Sequence, residues 1–191
     1  MDDAPQKPES TRCILISMPS LLDPNFHQTA SLISEFNKDG AMGVVLNRPL
    51  NISLTQILDA ALQLPGEPVK VFWGGPVQND RGWIVHEDAS LAGESLQIEP
   101  GLFLSSSLSA LQRLAENRQQ PNPPRFRFFL GYAGWGAGQL EKEMAASSWV
   151  TAPLKRDLIF DSSPETLWER SLHSIGVNPM QLASAPDSMV Q

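Results

Sequence analysis

The chain has 191 residues, 41% of them hydrophobic and 18% charged, and a net charge of −7. These figures fit one globular domain that buries roughly 70% of the surface its unfolded chain would expose, and they exclude a disordered or fibrous polypeptide. The acidic balance repels phosphate backbones, so direct nucleic-acid binding is not expected without a segregated basic patch. The best such patch is 104–130, where Arg113, Arg118, Arg125 and Arg127 stand against Glu116, whereas 82–103 holds Glu87, Asp88, Glu94 and Glu99 with no Lys or Arg. Both read as ordinary solvated faces.

A lone cysteine, Cys13, rules out an intrachain disulfide, and its place in the apolar run RCILISM suits a buried, inert thiol. A reducing, cytoplasmic compartment is expected. The opening MDDAPQKPES lacks the basic start and apolar stretch of a signal peptide, and no apolar run approaches the ~20 residues that span a bilayer. The expected layout is a tail over 1–11, one domain over 12–183 and a second tail over 184–191.

Residues 13–18 form a short apolar run stopped by Pro19, as in a buried strand followed by a turn. Asp23-Pro24 then initiates a turn. Residues 29–36 and 41–46 flank Asn37-Lys38-Asp39-Gly40, and an Asp-Gly pair at that spacing predicts a β-hairpin. A short helix over 29–36 is the competing reading. Ser53-Leu54-Thr55-Gln56 has the form of a capping box, and apolar residues at helical spacing predict a helix over 54–62, ended by Pro65 and Gly66. Residues 69–73 and 83–86 read as strands joined by the loop GGPVQNDRG. A strand is predicted at 102–104, after Pro100-Gly101 interrupts the run from Leu96, and a helix over 107–116 is broken by QQPNPP. Residues 125–130 form a strand by their alternation. Helices follow at 140–146 and at 165–175, the latter begun by Ser163-Pro164 and closed by Gly176, with short strands at 149–151 and 158–160. Strand and helix do not alternate as a doubly wound sheet requires. The expected class is therefore α+β, a mixed sheet with helices packed around it.

Four segments combine Gly or Pro with a polar or aromatic residue at a strand end: Asn47-Arg48-Pro49, Gly74-Gly75-Pro76-Val77, Gly131-Tyr132-Ala133-Gly134-Trp135, and Gln139-Leu140-Glu141. Such loops serve as fold-closing corners or as ligand sites, and both readings stay open. Trp135, between two glycines, reads as an exposed loop residue and the first candidate for a ligand or partner contact, with Tyr132 beside it and Trp149 assigned to the core. Arg48 is a candidate grip for a carboxylate or phosphate, or a brace for buried carbonyls. His86 ends an apolar strand beside Glu87 and Asp88, as a general base or a structural histidine.

Several motifs of this sequence, taken together, resemble the YqgE/AlgH family of bacterial proteins: MP..LDPNF, GAMGVVLNRP, WGGPV, RGWIVHE and GYAGWGAGQLEKEM, in that order and spanning about residues 14 to 176. The resemblance implies one compact α+β domain whose β-sheet is barrel-like or bifurcated and surrounded by helices. It implies no established biochemical activity; part of the family carries the label of transcriptional regulator.

Sharper chemistries fail on the residues. A dinucleotide fingerprint counted from Gly134 and Gly136 needs a third glycine where Gln139 stands, and no G-x-x-x-x-G-K-[ST] or G-x-S-x-G occurs. His27, His86 and His173 lack metal-ligand spacing, so no metal and no cofactor is expected. The reading that remains is a non-enzymatic binding or regulatory module with a protein or small-molecule partner, using the loops of Asn47, Arg48, Gly74, Gly75, Pro76, Tyr132 and Trp135. The alternative is an enzyme for a small anionic substrate, at a cleft of the NRP, GGPV and GYAGW loops, in which Arg48, His86 and Glu143 converge. A third is DNA binding through a helix-turn-helix-like segment at 165–182, where acidic residues suit a major groove poorly.

Overall fold

The computed structural model describes residues 12–58 and 67–179. Both expected tails lie outside these ranges, as do residues 59–62 of the predicted helix, 180–183 of the expected domain and with them the end of the segment 165–182. In chain order the strands are β1 (Cys13–Ser17), β2 (Ala30–Asn37), β3 (Gly40–Val45), β4 (Pro49–Ser53), β5 (Lys70–Trp73), β6 (Val77–His86), β7 (Leu96–Glu99), β8 (Leu102–Ser105), β9 (Phe126–Gly136) and β10 (Trp149–Ala152). The helices are α1 (Leu54–Ile57), α2 (Leu108–Asn117), α3 (Gln139–Ala145), α4 (Arg156–Phe160) and α5 (Pro164–His173). None of the described helices is long and apolar enough to cross a membrane.

The hairpin forms as its turn predicts: Asn37 pairs with Gly40, and the Asn37 Oδ1 accepts the Asp39 N–H at 2.8 Å. Strands pair in the order β10-β1-β2-β3-β9-β6-β8-β7. On one side of β9 runs β6. On the other, β5 pairs in parallel with residues 128–130 and β3 pairs antiparallel with residues 133–136. The sheet thus forks along β9, and the outer strands β10 and β7 stay apart, so it is bifurcated rather than closed.

The fork divides the core into three clusters. One face of the sheet packs Ile14, Leu32, Val44, Phe129 and Val85 under α4 and α5, which contribute Ile159, Leu167, Trp168 and Leu172. The opposite face is split: Leu15, Ile33, Ala133 and Trp135 pack under Leu140 of α3, while Val71, Ile84 and Phe128 pack under Ala110, Leu111 and Leu114 of α2. Gly131 makes the split possible. Phe129 and Tyr132 both face the α4–α5 cluster although they are three residues apart, an odd spacing that regular alternation forbids. Gly131, at φ +72°, takes up the extra residue, and residues 78–81 of β6 bulge opposite it. A Cβ here would lie 2.4 Å from the Gly75 carbonyl oxygen, so only glycine fits.

Three expectations are corrected. Residues 131–136 are strand, not loop: Gly131 admits the Gly75 and Val77 carbonyls on one side, and on the other Gly40 of β3 lies so close that a Cβ there would stand 2.2 Å from the Trp135 carbonyl oxygen. Residues 158–160 belong to α4: Leu158 and Ile159 N–H both donate to the Lys155 carbonyl, and a three-residue apolar run carries no period to tell helix from strand. The predicted GGPVQNDRG loop is largely β6, which starts at Val77. Strands β4 and β7 went unpredicted: both are short, and each carries only one alternating apolar pair, Leu50 with Ile52 and Leu96 with Ile98, beside a proline.

Candidate functional site

The NRP, GGPV and GYAGW segments do meet. The Trp73 N–H donates to the Arg48 carbonyl at 2.7 Å, the Val45 N–H to the Gly74 carbonyl at 2.8 Å, and the Gly74 N–H to the Leu130 carbonyl at 2.7 Å. A Cβ on Gly75 (φ +153°) would lie 2.1 Å from the Tyr132 carbonyl carbon, so this backbone-on-backbone contact admits no side chain. Pro76 is exposed beyond it, and the half-buried Tyr132 ring meets Trp83 edge-on at 5.9 Å.

The polar candidates at this corner are bonded to the chain itself. Asn47 accepts the Ala30 N–H on Oδ1 at 3.0 Å and donates Nδ2 to the Gln28 carbonyl at 2.9 Å, which holds Gln28 at its positive φ of 52°. Arg48 Nη2 donates to the His27 carbonyl at 2.6 Å, and His27 Nδ1 donates to the Leu21 carbonyl at 3.0 Å. Residues 18–29 are thereby pinned over the sheet. Phe26 of this loop packs against Trp73, Trp135 and Trp149, with ring centroids 6.4, 5.9 and 5.5 Å away. Leu22 on the same loop is 78% exposed.

Trp135 is buried, not exposed as expected, because β9 continues through it and α3 covers it. Glu143 on α3 explains how two indoles can be buried side by side. Its Oε2 accepts the Trp135 Nε1–H at 3.1 Å and the Trp149 Nε1–H at 2.8 Å, while Oε1 accepts Gln139 Nε2 at 2.9 Å. Gln139 Oε1 in turn accepts the Gly136 N–H at 3.0 Å.

His86 lies elsewhere. It pairs with Phe126 at the start of β9, nine residues before Trp135 and so on the order of 30 Å from the Glu143 clamp along the strand. The set Arg48–His86–Glu143 does not converge. Within its own surroundings His86 is buried, its ring stacked on Phe103 at 5.4 Å. The Asp88 N–H donates to Nδ1 at 3.2 Å, so the proton sits on Nε2, 2.9 Å from Ser95 Oγ. Burial pushes its pKa down, against the opposing charge of Asp88. Cys13 is likewise buried, its pKa pushed up to about 11 by loss of water. No group of three or more His, Cys, Asp or Glu among the described residues could hold a metal ion.

Two cavities lie away from this corner. One of about 320 Å³ sits between α1, α2 and the start of β6's inner run, lined by Ile57, Leu108, Leu111 and Phe128. The other, about 510 Å³, opens between β5, the start of β9 and the α4–α5 connection. It is lined by Lys70, Arg118 and Arg127 among others. Sequence reasoning placed no candidate here. The available signal was the arginine excess of 104–130, but one-dimensional order does not show that Lys70 joins two of those arginines. Nor does α5 present a basic face: it buries Leu167, Trp168 and Leu172, and leaves Glu165 and Glu169 exposed beside Arg170.

The family model described as AlgH-like matches residues 14–180. A UPF0301 protein of Pseudomonas fluorescens is 42% identical over 176 residues, covering 89% of this chain and 90% of that one. A UPF0301 protein of Thioalkalivibrio sulfidiphilus is 37% identical over 171 residues, covering 88% and 90%. Among solved structures, the AlgH protein from Pseudomonas aeruginosa aligns with a TM-score of 0.73 at 34% identity, over 97% of this chain and 98% of that one. A Corynebacterium diphtheriae protein at 20% identity, with a TM-score of 0.71 over 92% and 91% of the two chains, shares the fold. With a family model spanning nearly its whole length and relatives above a third identical, this chain belongs to the AlgH-like family.

Proposed function

We propose that this protein is a non-catalytic binding and regulatory module that docks a protein partner on the face formed by residues 18–29 and the NRP and GGPV corners. The observation that carries the reading is Leu22, 78% exposed on a loop held firmly to the sheet by Asn47, Arg48 and His27. An apolar side chain on a pinned loop offers an anchor at little cost in conformational entropy, the arrangement that binding hot spots favour. The hydrogen-bonding groups around it are engaged within the chain, which suits a surface that positions an apolar anchor rather than one that handles protons. Regulation then proceeds through protein contact rather than through reading DNA, in keeping with the net charge of −7.

Leu22→Asp is the direct test, since the exposed side chain leaves the core untouched. A photo-crosslinker at position 22 is expected to capture a discrete protein from cell extract, and one at the exposed Glu169 on α5 is not. The Asp variant, with unchanged thermal midpoint, should lose roughly tenfold or more in affinity for the captured protein, the scale of one buried apolar anchor. Equal capture from both positions, or full affinity in the folded variant, would remove this face from consideration.

A further inference from the structure

We infer that the cavity of about 510 Å³ between β5, the start of β9 and the α4–α5 connection is a binding pocket for a phosphomonoester with a flat apolar body. Three cationic side chains, Lys70, Arg118 and Arg127, line this one space in a chain whose net charge is −7. The proposal goes beyond the docking face, with which the cavity shares no residue.

Arg127 is the centre of the argument. Its guanidinium is half-buried, lies 4.9 Å over the Phe72 ring, and is fixed by carbonyl groups alone. Nη1 donates to Leu46 at 3.3 Å, and Nη2 donates to Ser162 at 2.9 Å and Phe160 at 3.5 Å. Carbonyl dipoles orient a guanidinium but do not cancel its charge. The nearest acid, Asp161, is held by Arg125 through bonds of 2.8 and 3.0 Å. Burial pulls the Arg127 pKa down and Asp161 only partly restores it, which marks a desolvated cation that a further anion would stabilise. No described residue contacts its Nε–H, so the guanidinium keeps a donor for a phosphate oxygen.

Lys70 is exposed on the rim and makes no ion pair or side-chain hydrogen bond among the described residues, so it is available as a second charge. Arg118, which donates to the Glu67 carbonyl at 2.6 Å, supplies a third. The walls between these charges are apolar on one side, with Phe72, Phe126, Val69 and Pro164, and polar on the other, with Ser162, Ser163 and the Arg125-bound Asp161. The Arg127–Phe72 stack forms a flat floor. A doubly charged head among three cations, with a planar body against aromatic rings, matches this lining better than an uncharged ligand would. The volume lies within the range of small-ligand pockets, roughly 300–1,000 Å³. Glu165 stands at the edge and is exposed, free to turn outward.

The test uses the full chain with AMP, adenosine and inorganic phosphate as probes, followed by calorimetric titration at low salt. AMP is expected to bind, inorganic phosphate to bind more weakly, and adenosine not to bind measurably. Lys70→Glu, which breaks no contact within the described residues, should weaken AMP binding by roughly tenfold or more while leaving the unliganded thermal midpoint unchanged. Arg127→Lys is the second variant; it keeps the charge but loses the fork, and should also weaken AMP. The proposal is overturned if neither AMP nor phosphate binds at about 10 mM, if adenosine binds as well as AMP, or if Lys70→Glu binds AMP like the parent chain.

Discussion

Glu143 shows how much one residue can decide. Two indole N–H groups, from the buried Trp135 and Trp149, point at a single oxygen of the half-buried Glu143 carboxylate. Without an acceptor each buried donor costs its full desolvation, about 1–3 kcal/mol. Glu143→Ala is therefore expected to lower stability by about 2–4 kcal/mol, read as a lower urea midpoint and altered tryptophan fluorescence. Glu143→Gln keeps an acceptor oxygen and should cost about half as much. Equal stability of the Ala variant and the parent would show that water reaches both indoles. The sequence marked Trp135 and Glu143 as worth attention but mistook their relation. Flanking glycines read as an exposed loop, since one-dimensional order cannot show that Gly134 and Gly136 lie within a strand covered by α3. Arg48 was more legible: a brace for carbonyls was one of the two roles that its chemistry allowed, and with Asn47 it holds the 18–29 loop by its backbone.

Between elements, the strongest polar joint lies where β6, β9 and α4 meet. Glu87, just past β6, accepts Arg125 in bidentate fashion at 2.6 and 2.9 Å and Arg156 at 2.8 Å. Arg156 also donates to the Gly101 carbonyl, and Arg125 reaches Asp161 at the end of α4. Burial opposes the Glu87 charge, but the hydrogen bonds and charges of both arginines prevail and hold its pKa below the ordinary 4.5. The joint is therefore fully stabilising above about pH 4.5 and is lost as pH falls through the lower folded value. His86, one residue earlier, acts in a higher window. Its folded pKa lies below 6.5, so the unfolded chain takes the proton first and stability declines as pH drops beneath 6.5. Two successive losses are thus expected in denaturant unfolding as pH falls, the first beginning beneath 6.5 and the second beneath 4.5. Glu87→Gln should be less stable at neutral pH yet close on the parent below pH 4.5, keeping only the histidine-linked decline. A constant gap between the two proteins at every pH would contradict this account. These partners were hidden in the sequence, where Arg125 and Arg156 stand 38 and 69 residues from Glu87. Most elements were visible through turn and capping residues, apart from α4, too short to show a period, and β4 and β7, short strands with one alternating apolar pair each beside a proline.

At the scale of the molecule, the α2 and α3 clusters touch opposite halves of β9, and each could serve as a small core of its own. Two features bind them into one. The α4–α5 cluster covers the sheet from Ile14 to Val85 without interruption, and β9 carries residues of all three clusters: Phe128 under α2, Phe129 under α5, and Ala133 and Trp135 under α3. Separating the lobes would expose the shared face and break the fork at Gly131, so neither lobe can unfold at small cost. A mixed sheet with an early hairpin could be inferred from the residue pattern, but the fork could not, because it depends on which strands meet β9 across long gaps, the widest from Gly40 to its partner Gly136. The expected outcome is one cooperative urea transition with a slope of about 2 kcal/mol per molar. Tryptophan fluorescence, which senses Trp135 and Trp149 under α3 together with Trp73, Trp83 and Trp168, none of them in the α2 cluster, should coincide with far-ultraviolet dichroism, which averages over every element. Leu111→Ala, a core truncation beneath α2, should lower both midpoints together, by about 2–4 kcal/mol, although it lies in the other lobe from Trp135 and Trp149. A fluorescence curve left unmoved by that substitution would mean that the lobes melt separately, and that β9 joins them in geometry without coupling them in free energy.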